Sequence, residues 1–149
     1  TYDLAPEMSA AGVTDVALDV LDSDDPDALV LNYANPDMVG HTGDYEAAIE
    51  AVETVDGELG RLVPALRGAG AAVFVTADHG NADDMGTRDD PHTAHTFNPV
   101  PFVHLPADDA AEGNHEVRDD GALRDIAPTM LDALGVETPS AMTGASLLD

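Results

Sequence analysis

A long amphipathic segment between two short apolar runs constrains the fold of this chain more than any other feature. Apolar residues recur at helical spacing from Asp44 to Arg67, and acidic residues occupy the other face. The flanking runs Ala28–Tyr33 and Ala71–Thr76 are short and lie between polar or glycine-containing segments, which is typical of buried strands. Strand, helix and strand in this order predict a parallel crossover unit of an α/β sheet.

The rest of the chain adds further elements around this unit. Pro64 is expected to kink or end the long helix, and Gly135 is expected to close the last one. The pattern predicts an alanine-rich helix from Pro6 to Leu21, a loop over Asn81–Thr96, a third strand over Pro99–Leu105, a helix over Asp125–Leu134 and a tail over Met142–Asp149.

Carboxylate and imidazole pairs follow both strands of the crossover unit. Asp37 and His41 lie four residues apart after the first strand, and they project to one side if the segment turns like a short helix. Asp78 and His79 follow the second strand directly. Ligands of open α/β sheets bind beyond the carboxyl ends of the strands, so both pairs lie where a site is expected.

A third segment offers two more imidazoles, His92 and His95, and either one could complete the set. The other could be a supporting donor or a loop residue. His104 lies in a predicted strand and His115 in an acidic loop. For these two, a packed or solvated imidazole is the expected role.

Mixed oxygen and nitrogen ligands of this kind suit manganese or zinc, and geometry decides between them. Two carboxylate–imidazole pairs indicate two ions. Two divalent ions at close range can clamp the attacking and leaving oxygens of a phosphoryl transfer. Each pair alone is a weak signal, because a turn can use the same residues to satisfy its own backbone; their joint position at strand ends favours a metal site.

The charge of the chain restricts its partners. The formal net charge is −25, and all five basic residues are arginine. Such a chain repels nucleic acid and anionic membranes, so neither is an expected partner. The scattered Asp and Glu residues predict a halophilic surface, adapted to high salt. An anionic substrate would have to be held by bound metal or by residues outside this chain.

Length and cysteine content set the remaining bounds. The 149 residues predict one domain, 1–149, with a sizeable core. The absence of cysteine agrees with a cytoplasmic location, and no apolar run approaches the roughly 18 residues that a membrane helix needs. The start at Thr1 without an initiator methionine predicts a piece of a longer protein.

Several stretches together resemble the carboxyl-terminal part of the cofactor-independent phosphoglycerate mutases. They are Tyr2–Ser9, Ala34–Ala48, Thr76–Asn81, His92–Pro101, Asp125–Leu131 and Met142–Leu148. The resemblance implies the alkaline phosphatase superfamily and its fold, a three-layer α/β/α sandwich with a mostly parallel sheet. It covers nearly the whole chain and is more specific than any single motif.

The same resemblance implies an activity and a ligand set. The reaction is the interconversion of 3-phosphoglycerate and 2-phosphoglycerate in glycolysis and gluconeogenesis, through a phosphoserine enzyme and two metal ions. The ions are commonly manganese, with zinc or cobalt as alternatives. By position, Asp37, His41 and His95 resemble the ligands of the first ion, whereas Asp78 and His79 resemble two ligands of the second.

The chain departs from the family in what it lacks. The serine nucleophile, a further aspartate ligand and the basic residues that bind phosphoglycerate have no counterpart in these residues. The chain alone is therefore expected to be inactive. A piece of a phosphopentomutase or metal-dependent phosphatase, and a non-enzymatic acidic cation-binding domain, are the alternatives. An uncovered sheet edge is expected to favour dimers or aggregates at low salt.

Overall fold

The computed structural model describes residues 2–24, 26–108, 110 and 116–148. The chain forms two compact units. The first unit contains residues 1–65 and 76–101, and the second contains residues 66–75 and 102–149. All five candidate metal ligands lie in the first unit.

Four α-helices and two strands make up the regular structure of the described residues. They are α1 (Ala10–Ser23), α2 (Asn35–Gly40), α3 (Tyr45–Gly68), β1 (Val73–Thr76), β2 (Phe102–Leu105) and α4 (Ile126–Ala133), with 3-10 helices at Tyr2–Leu4 and Leu123–Asp125. Helices α1, α3 and α4 confirm the predicted helices, and β1 and β2 confirm the predicted second and third strands. None of the described helices is both long enough and apolar enough to cross a membrane.

The prediction of a buried strand over Ala28–Tyr33 is wrong. The segment has no strand assignment, and Val30 is 81% exposed. Exposure alternates along the segment, from exposed Ala28 to half-buried Leu29 and onward, as it does along a half-buried strand. An apolar run becomes a strand only when its backbone finds a ladder partner, and the described residues provide none here.

The long helix α3 does not end at Pro64, which was one of the two outcomes expected for that residue, but continues to Gly68. Its first half buries the small side chains of Ala47, Ala48 and Ala51, while the larger Ile49 and Val52 are about half exposed. The helical pattern had placed Ile49 and Val52 on the buried face, and that prediction is wrong in this half of the helix, where the alanines are buried instead.

Those alanines form the core of the first unit and determine the position of α2. Val39 of α2 is fully buried against Ala47, Ala48, Ala51 and Met85. Methyl side chains allow close approach of the helix backbones, so α2 lies near the start of α3. This contact fixes the helix that carries Asp37.

The first residue of α2, Asn35, holds the start of the helix against the segment before α1. The Asn35 amide is 2% exposed, and it donates to the carbonyl oxygens of Pro6 at 2.8 Å and Glu7 at 2.9 Å. Nearby, the Thr14 hydroxyl lies 2.8 Å from the hydroxyl of Tyr33. Buried polar groups keep their hydrogen bonds in folded proteins, so these contacts fix the chain as it enters α2.

The second unit contains a two-stranded sheet of β1 and β2. The ring of Phe74 in β1 stacks on Phe102 and on His104 of β2, with centroids 5.7 and 5.0 Å apart. His104 is therefore a packed imidazole, as predicted. His115 lies outside the described residues.

Asp125 organises the end of the second unit. Its carboxylate accepts hydrogen bonds from the backbone N–H groups of Ala145 at 2.9 Å and Ala122 at 2.8 Å, and these bonds hold its pKa below the ordinary value. The predicted tail is not free, because Leu147 is 3% exposed and its N–H donates to Thr129 Oγ1 at 2.9 Å. The segment around Leu147 thus packs as part of this unit.

Candidate metal centre

Helix α2 brings the first carboxylate and imidazole together. Pro36 lies in its first turn, where a missing N–H is tolerated, and His41 caps its end with an N–H to the Asp37 carbonyl at 3.1 Å. One turn of helix separates the two side chains, so His41 Nε2 lies 3.2 Å from Asp37 Oδ1. The condition attached to this pair in the sequence, a short helical turn, is met.

His95 joins this pair from a loop more than fifty residues further along. Its Nε2 lies 3.2 Å from Asp37 Oδ1 and 3.1 Å from His41 Nε2. One carboxylate oxygen and two imidazole nitrogens therefore form a nearly equilateral triangle, which we call the ligand triangle.

The ligand triangle has the dimensions of a divalent metal site. Ligand atoms about 2.1 Å from one ion lie roughly 3.0 Å apart in octahedral geometry and roughly 3.4 Å apart in tetrahedral geometry. The observed separations of 3.1 to 3.2 Å lie between these values. Imidazole and carboxylate are also the donor types that suit manganese and zinc.

His79 lies against the same cluster. Its ring stacks on that of His95 with centroids 3.7 Å apart, and its Nδ1 is 4.0 Å from Asp37 Oδ1. Asp37, His79 and His95 can each offer a ligand atom within 4.8 Å of the other two. The geometry therefore offers two imidazoles, His41 and His79, as the third ligand beside Asp37 and His95.

Asp78 is the outermost of the five candidate ligands. Its side chain is 87% exposed, and its carboxylate lies 3.6 Å from His79 Nε2. It faces the cluster through His79 alone among the contacts of the described residues. The Asp78 carboxylate is therefore accessible to an ion on the outer side of the cluster.

His92 does not join the ligand triangle. Its Nδ1 lies 2.9 Å from the backbone carbonyl of Asp84, within the long loop. His92 therefore supports the loop, and the choice between the two imidazoles of this segment favours His95.

Hydrogen bonds hold two of the three triangle residues in orientation. His41 Nδ1 lies 2.7 Å from the carbonyl oxygen of Thr93. In this arrangement Nδ1–H donates to that oxygen, and Nε2 carries the lone pair that can bind a metal. The Asn81 amide donates to Asp37 Oδ1 at 2.7 Å. Such partners of ligand residues fix ring tautomers and carboxylate positions in metal sites.

Asn81 is the main site residue that sequence reasoning missed. It is 4% exposed, and its Oδ1 is buried with no hydrogen-bond partner among the described residues. Its amide oxygen packs against Gly40, where a Cβ atom would clash with it. An asparagine two residues after the Asp78–His79 pair was visible in the sequence, but its burial and its contact with Asp37 depend on tertiary structure.

The fold of the chain and the ligand types of this centre agree with a class of metal-dependent enzymes. A model of the Metalloenzyme superfamily matches residues 1–138, and the chain belongs to that superfamily. Within it, the chain is similar over its full length to two proteins named 2,3-bisphosphoglycerate-independent phosphoglycerate mutase: 72% identical to that of Halobacterium salinarum and 62% identical to that of Natronomonas pharaonis. The resemblance drawn from the sequence is confirmed.

A solved structure gives the same relationship. Leishmania mexicana phosphoglycerate mutase, crystallised at low cobalt concentration, matches 99% of this chain with a TM-score of 0.88 and 34% identity. The predicted alkaline phosphatase-like α/β class is confirmed, and the chain is a partial domain of it. The chain spans 29% of the length of both named relatives and of that structure.

Proposed function

We propose that this chain is the metal-binding part of a cofactor-independent phosphoglycerate mutase that interconverts 3-phosphoglycerate and 2-phosphoglycerate through a phosphoserine and two metal ions. The observation that carries the proposal is the ligand triangle of Asp37, His41 and His95. The names of the relatives support the reaction, and the donor types support manganese, with zinc or cobalt as alternatives.

In this proposal the side chains have distinct roles. Asp37 supplies negative charge to the first ion and is held by Asn81, while His41 and His95 bind as neutral rings through Nε2. Asp78 and His79 bind the second ion on the outer side of the cluster. When bound, the ions neutralise charge on a transferring phosphoryl group and orient its oxygens.

The chain itself supplies little positive charge to a phosphoglycerate. Its five arginines face thirty acidic residues, and Arg88, the arginine in the long loop, pairs with Glu46. The substrate is therefore held by the ions and by parts of the enzyme outside these residues. We expect the isolated chain to show no mutase turnover in an assay coupled through enolase, and robust turnover would contradict the proposal.

A manganese titration by calorimetry at high salt tests the metal site. High salt screens diffuse binding to the acidic surface. The unaltered chain should bind saturably, His95→Ala should weaken this binding strongly, and His92→Ala should leave it unchanged. His92→Ala is the matched control, because it removes an imidazole from the same loop without touching the ligand triangle.

Three more variants separate the ligands of the two ions. His41→Ala should weaken the first binding event, whereas His79→Ala and Asp78→Ala should weaken the second. Equal binding by the unaltered chain, His41→Ala and His95→Ala would instead support a non-enzymatic acidic domain that binds cations loosely. A preference of the parent enzyme for ribose phosphates or simple esters would support a phosphopentomutase or a phosphatase.

A further inference from the structure

His95 lacks the kind of support that orients the other residues of the ligand triangle. His41 is held by Thr93 and Asp37 by Asn81. For His95, the described part of the chain shows no hydrogen bond to Nδ1, so the far side of its ring has no partner there. Ligand histidines ordinarily use that nitrogen to fix their orientation. The ring of His95 is therefore positioned by its contacts with Asp37, His41 and His79 and by the backbone that carries it.

The backbone next to His95 is fastened to the segment that carries His79. The N–H of Thr96 donates to the carbonyl of Gly80 at 2.8 Å, forming an isolated bridge between the two loops. Each partner of this bridge follows a stacked imidazole directly in sequence. The bridge therefore sets the register in which the rings of His79 and His95 meet.

The carboxylate of Asp83 reinforces this bridge. It accepts the hydroxyl of Thr96 at 3.1 Å and the amide of Asn98 at 2.6 Å. One carboxylate therefore binds Thr96 and Asn98, the first and third residues after His95. Bonds to an ionised acceptor are shorter and stronger than neutral ones, and the Asn98 amide holds the pKa of Asp83 below its ordinary value.

The close approach of Thr96 and Asp83 to Gly80 requires glycine at this position. A Cβ atom on Gly80 would overlap Thr96 Oγ1 and lie 2.5 Å from Asp83 Oδ1. Asp83 itself is exposed and contributes nothing to the buried core. Its contacts therefore act on the loop geometry rather than on the folding of the first unit.

We propose that Asp83 is a positioning residue for the metal centre, which fixes His95 against His79 and Asp37 by clamping Thr96 and Asn98. The inference rests on the proposed function, since it assigns Asp83 a role in that same site. It predicts that loss of the carboxylate loosens the His95 ring and weakens metal binding without unfolding the chain.

The test compares Asp83→Ala with Asp84→Ala. The control removes the neighbouring carboxylate, with the same change in net charge, and its described side-chain contact is to the Gly86 N–H. Manganese affinity at high salt should fall about 10-fold in Asp83→Ala, as expected for a partner of a ligand residue. Asp84→Ala should bind like the unaltered chain. Circular dichroism should show the same fold in both.

A second readout follows the His95 ring without metal. Its proton resonances in the metal-free chain should be displaced by the stacked ring of His79. Asp83→Ala should move them toward the values of a free imidazole, and Asp84→Ala should not. If Asp83→Ala does not fold, Asn98→Ala, which removes only the 2.6 Å contact, should give a smaller effect in the same direction.

The outcomes separate the two proposals. If Asp83→Ala, or Asn98→Ala in its place, keeps both the manganese affinity and the His95 resonances, the positioning role is overturned while the metal site stands. If the unaltered chain binds no manganese but Asp83→Ala moves the resonances, the proposed function falls, and Asp83 orients the His95 ring without serving a metal centre. Equal losses in Asp83→Ala and Asp84→Ala would assign the effect to charge and overturn the inference.

Discussion

Replacing Gly40 by alanine should damage the metal centre although the change adds a single methyl group. A Cβ at this position would overlap Asn81 Oδ1 and lie 3.0 Å from Asn81 Cγ. Asn81 is 4% exposed, so it has no free space into which it could move. Any displacement breaks its 2.7 Å hydrogen bond to Asp37 Oδ1.

Two opposing terms set the size of the effect. A hydrogen bond to a charged group contributes about 1.5–3 kcal/mol to folding. Alanine in a helix is favoured over glycine by about 1 kcal/mol. The lost bond exceeds the gain, so Gly40→Ala should lower the free energy of unfolding by about 0.5–2 kcal/mol. Freeing the Asp37 carboxylate should also weaken manganese binding about 10-fold.

Urea denaturation at high salt, followed by circular dichroism, measures the first effect, and calorimetry measures the second. Gly57→Ala is the matched control, because Gly57 lies inside α3 and its added Cβ would meet nothing within 4 Å. The control should stabilise the chain by about 1 kcal/mol. If Gly40→Ala were as stabilising as Gly57→Ala and kept its manganese affinity, the proposed contact between Asn81 and Asp37 would be refuted.

Three further changes probe other contacts. Because the pKa of Asp125 is lowered in the folded chain, its contribution to stability is complete above about pH 4, the pKa of the unfolded state, and is lost as pH falls through the folded pKa. Between pH 7 and pH 3, the free energy of unfolding measured by denaturation should therefore fall less in Asp125→Asn than in the unaltered chain. Thr129→Val leaves the buried N–H of Leu147 without its acceptor and should lower the free energy of unfolding by about 1–3 kcal/mol in urea denaturation, whereas Thr129→Ser keeps the acceptor and should cost only the lost methyl packing. Arg88→Ala removes an exposed pair with Glu46 and should change the unfolding free energy by less than about 1 kcal/mol.

Sequence reasoning succeeded where a local pattern and a tertiary requirement agreed. The long helix, the strand before Asp78 and the strand before Pro106 each combine apolar periodicity with clear boundaries. Asp37 and His41 could be paired because helical geometry alone brings residues four apart together. The meeting of His95 with that pair was expected from the resemblance, since no spacing rule links positions 54 residues apart.

Its failures share one cause, the dependence of a segment on partners that its own residues do not reveal. Ala28–Tyr33 has the composition of a buried strand but lacks a ladder in the described residues. The buried face of α3 consists of Ala47, Ala48 and Ala51 because Val39 packs there, and hydrophobicity ranks Ile49 above any of them. Asn81 and Asp83 act through contacts with distant loops, which a one-dimensional pattern does not contain. The single domain 1–149 and the assignment of the five ligands stay predictions.

The contact between His41 and His95 also affects the free energy of folding. It closes a chain segment of 54 residues, and bringing the ends of such a loop together costs chain entropy that grows as (3/2)RT ln n, about 3.5 kcal/mol for this length. An ion bound to both rings would act as a reversible cross-link across that loop. At 100 times its dissociation constant it would add about 2.7 kcal/mol to the native state. Removal of metal by a chelator would withdraw that contribution and lower the free energy of unfolding by the same amount.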